Sequence, residues 1–159
     1  MIEKNFNGDL LKADVDIICH QVNTRVMGGG IAVQIRYQFP RVYEKYLNAV
    51  HDGLMTVGAL QIVKIDPEGS DNRKVANLCA EDLSVCYGNG RYTNYEALYT
   101  VLEKLADYCS KNGVKKIGFP TYMSCVRGGG DWGVVTAMIK SVFKDNPDIE
   151  IQYWRYDRG

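Results

Sequence analysis

What is scarce in this sequence rules out several kinds of protein before any motif is considered. Only two histidines occur, His20 and His51, and they do not cluster with the cysteines. A structural zinc site needs four such ligands together, so no metal is expected. The cysteines, Cys19, Cys79, Cys86, Cys109 and Cys125, are odd in number and form no C-x-x-C pair. Reduced thiols in a cytoplasmic protein are the simplest reading. No apolar run approaches the roughly 18 residues that span a membrane, and no secretory leader is expected. An excess of one charge is missing too: Lys plus Arg and Asp plus Glu both count 19. Non-specific DNA binding relies on a basic footprint, so nucleic acid is not expected as the primary partner. A small anion remains compatible with neutrality, because a cleft can supply local positive potential. G-x-x-x-x-G-K-[ST] is absent as well, and Gly28-Gly29-Gly30 does not open a G-x-G-x-x-G with an acidic residue at the right remove, which disfavours nucleotide triphosphatases and dinucleotide dehydrogenases.

What is present describes an ordinary globule. A chain of 159 residues, 46% of them hydrophobic, can bury a core without staples. Residues 1–159 are therefore expected to form one domain. Strands are expected at Ile2–Phe6, Val15–Val22, Gly58–Lys64, Lys74–Leu78, Lys116–Phe119 and Ile149–Tyr156. A helix with Ile31, Ile35, Phe39 and Val42 on one face is interrupted by Pro40. Thr93-Asn94-Tyr95-Glu96 reads as a capping box, with Thr93 as the cap of a helix carrying Leu98, Val101, Leu102, Leu105 and Cys109. Asn112-Gly113 ends that helix as a left-handed cap would. A last helix runs through Val134, Met138, Ile139 and Val142. Alternating strands and helices imply an α/β fold with a mixed, mainly parallel sheet.

Two glycine clusters, Gly28-Gly29-Gly30 and Gly128-Gly129-Gly130, each fall between a strand and a helix. A helix N-terminus carries unpaired N–H groups and partial positive charge, and glycine lets the backbone approach an anion closely. Ser124 and Arg127 add donors to the second loop. Two such turns on one sheet edge can grip a diphosphate from both sides; either alone is equally compatible with tight packing or chain reversal.

These residues together resemble the macrodomain family. The features are Gly8-Asp9-Leu10 after a first strand, the strand ending Cys19-His20-Gln21-Val22-Asn23, and the loop Met27-Gly28-Gly29-Gly30-Ile31-Ala32. Phe119-Pro120 then leads into Ser124-Cys125-Val126-Arg127-Gly128-Gly129-Gly130-Asp131-Trp132. The resemblance covers residues 2 to about 155. It looks closest to the branch of ADP-ribose-1″-phosphate phosphatases and terminal ADP-ribose glutamate hydrolases, with their bacterial and phage relatives. It implies a three-layer α/β/α fold, no cofactor, and ADP-ribose or a derivative, free or on a modified protein, as partner. Asp9 would accept from the adenine amine and the Leu10 N–H would meet the same ring. Asn23 would sit at the distal ribose. Amides of Gly29, Gly30 and Ile31, beside Gly28, and of Cys125 to Gly129 would hold the diphosphate.

Each assignment has a plainer counterpart. Asp9 is either an adenine acceptor or a turn cap. His20 is either an acid–base group at the distal ribose or a buried histidine satisfied within the fold. Asp131 either orients water or caps the helix of Trp132. The second loop departs from the family's Gly-Cys-Gly-Leu-Ala-Gly-Gly-Asp-Trp by placing Ser124 and Val126 where glycines are usual, and Arg127 adds a cation. The hydrolase branch's lysine has no counterpart in Asn77-Leu78-Cys79-Ala80-Glu81, and the first loop is about one residue short at Thr24-Arg25-Val26. The resemblance thus admits a hydrolase of ADP-ribose derivatives, a silent ADP-ribose reader, or an interaction protein with a vestigial cleft.

Overall fold

The computed structural model describes residues 1–156. Six strands form one sheet: β1 (Ile2–Asn7), β2 (Ile17–Asn23), β3 (Leu60–Lys64), β4 (Lys74–Glu81), β5 (Lys116–Pro120) and β6 (Glu150–Arg155). Their order is β1-β6-β5-β2-β4-β3. Every neighbouring pair is parallel except β3 with β4, so the sheet is mixed and mainly parallel. Four helices connect the strands: α1 (Ile31–Gln38), α2 (Pro40–His51), α3 (Tyr95–Lys111) and α4 (Trp132–Phe143).

The central strands read as near-continuous apolar runs because both faces are covered. Alternation along β2 sends Ile17 and Cys19 to one face, where they join Leu98, Leu102, Leu105 and Ile139 of α3 and α4. Ile18 and Val22 point the other way, into a cluster with Leu11, Ile35, Val42 and Tyr46. The result is the expected α/β/α sandwich. All five cysteines are free, and no helix of the described residues is long and apolar enough to cross a membrane.

Three local expectations are refined. Pro40 divides the first helical region into two helices: it stands at the first turn of α2, where its missing N–H is no loss. β4 runs to Glu81 because β2 pairs with it as far as Asn23. The cap of α3 is Asn94, not Thr93; its side chain accepts from the Ala97 N–H at 3.0 Å. Thr93 is fully buried and its hydroxyl serves the second glycine loop instead. The helix ends as expected, with Gly113 at φ +63°.

Candidate functional site

Parallel strands bring their C-terminal ends to one edge, which is where ligands collect in α/β folds. Here β1, β2, β4, β5 and β6 all open onto a cleft of about 900 Å³. Gly8 to Leu10 and Trp154 line it beyond β1 and β6, the two glycine loops flank its middle, and Glu81 and Leu83 line it beyond β4.

The first loop is built around Gly30, at φ +59°, which caps α1 without any side-chain hydrogen bond. The amides of Gly29, Gly30 and Ile31 find no acceptor among the described residues, so they remain free for an anion. The second loop is tighter. Ser124 holds the left-handed conformation at φ +71° without being glycine, a strain of about 1–2 kcal/mol. Its hydroxyl donates to Gln21 Oε1, and its carbonyl accepts from Thr93 Oγ1 at 3.0 Å and Gly130 N at 2.8 Å. Those bonds over-determine the residue. Val126, the other departure, is 84% exposed and displaces nothing. Gly128 is dictated by space: a Cβ there would overlap Thr93 Oγ1 and come within 2.6 Å of the Ser124 carbonyl oxygen.

Loop closure decides which amides are available. The Cys125 N–H donates to Tyr122 O and the Gly129 N–H to Cys125 O. That corrects the expected set at both ends, leaving Val126, Arg127 and Gly128 with amides unpaired among the described residues. Arg127 reaches across the cleft, and its guanidinium lies against Gly29 where a Cβ would otherwise stand. The two loops therefore face each other across a gap bridged by a single cation.

At the β1 end, Asp9 Oδ1 caps a short 3-10 turn (Leu10–Lys12) by accepting from Leu11 N at 2.9 Å. Its Oδ2 accepts no hydrogen bond among the described residues. Trp154 stacks on Phe6 with centroids 4.8 Å apart, and Trp154 and Tyr156 add aromatic walls that the sequence reading did not single out. Their signal was the aromatic run Tyr153-Trp154 at the end of the last strand.

At the β4 end, Asn23 Oδ1 accepts from Arg25 N and Val26 N at 2.8 and 2.7 Å, so the side-chain oxygen shapes its own loop. Tyr46 OH donates to the Asn23 carbonyl at 2.7 Å. His20 is completely buried beneath the cleft floor and bonds Asn77 Oδ1 at 2.6 Å. The bond belongs to a polar row across the sheet: Asn77 Nδ2 donates to Gln61 Oε1, and Gln61 Nε2 to the Lys45 carbonyl. A backbone carbonyl only accepts, so the row has one direction, and His20 Nε2 must carry the proton. Nδ1 is then a lone pair with no partner. Burial lowers the ring's pKa from 6.5 to about 4.

Asp131 is not part of the cleft. Its carboxylate caps α4 through Gly133 N and Val134 N, and it does not line the cavity. Beside Asp9, a second carboxylate lines it: Glu81, in the segment that lacks the hydrolase branch's lysine. It is 9% exposed. Burial raises its pKa, opposed by Gln21 and by Arg127.

No family model matches the chain. A DNA ADP-ribosyl glycohydrolase of Mycobacterium tuberculosis is 26% identical over 149 residues, 91% of this chain. The chain spans about two fifths (39%) of that relative's length. Among solved structures, the macrodomain of Mycobacterium tuberculosis DarG superposes with a TM-score of 0.82 at 23% identity, covering 96% of this chain and 97% of the other. Thermosipho africanus DarTG in complex with ADP-ribose follows at TM-score 0.77 and 21% identity, covering 93% and 40%.

The fold is that of a macrodomain.

Within this fold the structure gathers Asp9, Leu10, His20, Asn23, Gly28 to Ile31, Ser124 and Val126 to Gly128 around one cleft. It sets aside Asp131, and turns the Cys125 and Gly129 amides inward. Gln21 and Thr93 are the supports that sequence patterns left hidden. Each is a polar residue whose partner lies more than 30 positions away in the chain.

Proposed function

We propose that this macrodomain binds the ADP-ribosyl group of a modified target and hydrolyses its bond at the distal ribose. The observation that carries the reading is the convergence of two loops with free amides on one sheet edge, with the Arg127 cation between them. A pyrophosphate fits such a place, since unpaired N–H groups and a guanidinium favour fixed negative charge. Asp9 and Trp154 then take the adenine, while Asn23 and the β4 end take the distal ribose. Free cysteines suit the reducing cytoplasm.

The names of the relatives supply ADP-ribosylated DNA as a target, and the family branch supplies glutamate-linked protein and the 1″-phosphate. Zero net charge argues against binding along bare duplex, but not against taking one modified nucleotide into the cleft. The test has two stages. Calorimetry with ADP-ribose, NAD and cyclic ADP-riboses establishes the ligand. Turnover on ADP-ribosylated DNA, glutamate-linked ADP-ribosyl protein and ADP-ribose-1″-phosphate establishes the reaction. Release of free ADP-ribose supports the hydrolase, and binding without turnover on any of the three makes the chain a reader. The reader has one observation in its favour: Asp131 is committed to a cap and His20 to the polar row, which depletes the catalytic set read from sequence.

A further inference from the structure

Glu81 is the one acidic side chain that the fold buries at the β4 end of the cleft, and the structural scheme above leaves it unused. Its position follows from the strand order. From β1, where Asp9 stands, to β4, where Glu81 stands, the sheet steps across β6, β5 and β2. Four steps of about 4.8 Å make roughly 19 Å, comparable to an outstretched nucleoside diphosphate sugar. A ligand with its adenine at Asp9 and its diphosphate between the glycine loops therefore ends beside Glu81. Asn23, the expected distal-ribose residue, pairs with Glu81 directly in the β2–β4 register.

The surroundings of the carboxyl are built. Gln21 Nε2 approaches Glu81 Oε2 at 3.4 Å and at the same time donates to Thr93 Oγ1 at 2.9 Å. The Glu81 carbonyl accepts from Thr24 N at 3.1 Å, and the Ala80 carbonyl before it accepts from Asn94 N at 2.8 Å, so the backbone on either side is held. The charged and titratable groups acting on this region are Arg127 from the second glycine loop, Tyr46 from α2, and Cys79 and Asp82 from its own segment. Arg127 alone among them is a cation. The same guanidinium is the group placed to meet a diphosphate.

The geometry points to Glu81 as the general acid of this macrodomain, delivering a proton to the atom that leaves C1″ of the distal ribose. This rests on the hydrolase reading above. In the step, the bond from C1″ to the target's oxygen or nitrogen breaks and its electron pair stays with the target. The Glu81 carboxyl proton goes to that atom, water adds its oxygen to C1″, and the surplus proton of the added water returns to the carboxylate. One water is consumed and the acid is regenerated. Arg127 couples binding to this step. In the free protein its charge favours the ionised carboxylate. Burial acts the other way and holds the carboxyl above its usual range; a bound diphosphate neutralises the Arg127 charge and so favours the protonated acid further.

The test compares wild type with Glu81→Gln on two kinds of ADP-ribosyl linkage. One carries a poor leaving group (ADP-ribosylated DNA linked through a base nitrogen), and the other a good one (4-nitrophenyl ADP-ribose, or glutamate-linked protein, whose carboxylate leaves without a proton). A lost general acid costs about 10²- to 10⁴-fold where the leaving group needs a proton, and little where it does not. Glu81→Gln should therefore lose that factor on the nitrogen-linked DNA, stay within tenfold on the nitrophenyl compound and the glutamate ester, and lose the alkaline fall of the wild-type kcat/KM profile on DNA. Calorimetry with ADP-ribose should show its affinity within a few-fold of wild type, which establishes that the variant is folded. Glu81→Asp provides a second chain, expected to keep part of the activity and the alkaline fall. Equal losses on both linkages, or none on either, remove Glu81 as the acid and leave the hydrolase standing. A wild type that binds ADP-ribose and turns over nothing overturns the hydrolase and the acid together.

Discussion

Asp9→Asn separates a binding role from a structural one at the β1 end of the cleft. Asp9 Oδ1 caps the 3-10 turn through Leu11 N at 2.9 Å, while Oδ2 is free of partners among the described residues. Asparagine caps about as well as aspartate. Its single oxygen should stay on Leu11 N, which puts NH₂ where Oδ2 stood. An adenine amine then faces a second donor and loses a charge-assisted bond of about 1.5–3 kcal/mol. The expected result is an ADP-ribose Kd weakened roughly 10- to 100-fold, with stability in urea within about 0.5 kcal/mol of wild type. Asp9→Ala should lose the same affinity and about 1 kcal/mol of stability besides, because the cap goes too. Calorimetry and urea melts on both variants supply the four numbers. If Asp9→Asn binds ADP-ribose as tightly as wild type, the adenine lies elsewhere and Asp9 is a cap alone.

Three further outcomes are expected. Arg127→Ala should weaken ADP-ribose binding by about 1–2 kcal/mol and flatten its dependence on salt, measured by calorimetry at two ionic strengths. Gly128→Ala should destabilise the fold by about 1–3 kcal/mol in urea, since the new methyl meets the Ser124 carbonyl and neither can easily give way. His20 is buried neutral, with its pKa lowered from 6.5 to about 4. The unfolded chain therefore binds the extra proton first. Stability is full above about pH 6.5 and falls, by roughly 3 kcal/mol in all, as pH drops towards 4. Urea melts at pH 7 and pH 5 should show a shallower loss for His20→Gln than for wild type.

The alternation of strands and helices was legible because the elements announce themselves locally. Apolar runs mark β2 and β4, and Asn112-Gly113 marks the end of α3. The glycine loops were legible for the same reason. What was not legible depends on partners distant in sequence. Thr93 looked like a cap because Glu96 follows three residues later, yet Asn94 is as good a cap and leaves Thr93 free to tie down Ser124. Which amides of the second loop face the cleft depends on how the loop closes on Tyr122 and Cys125. Asp131 and Asp9 each had two readings; the structure makes both of them caps, and leaves only Asp9 in the cleft. Glu81 gave no pattern of its own, because a single acid at a strand end becomes chemically distinctive only after folding encloses it.

The one-way polar row from the Lys45 carbonyl to His20 constrains what the cleft can accept at its floor. Its orientation is set at the β3 edge, by a main-chain oxygen of α2 on the same face of the sheet as the imidazole. The imidazole itself is wholly enclosed, so it offers a ligand neither a donor nor a charge. At neutral pH the recognition of charge therefore falls to the rim, where the unpaired loop amides and Arg127 stand.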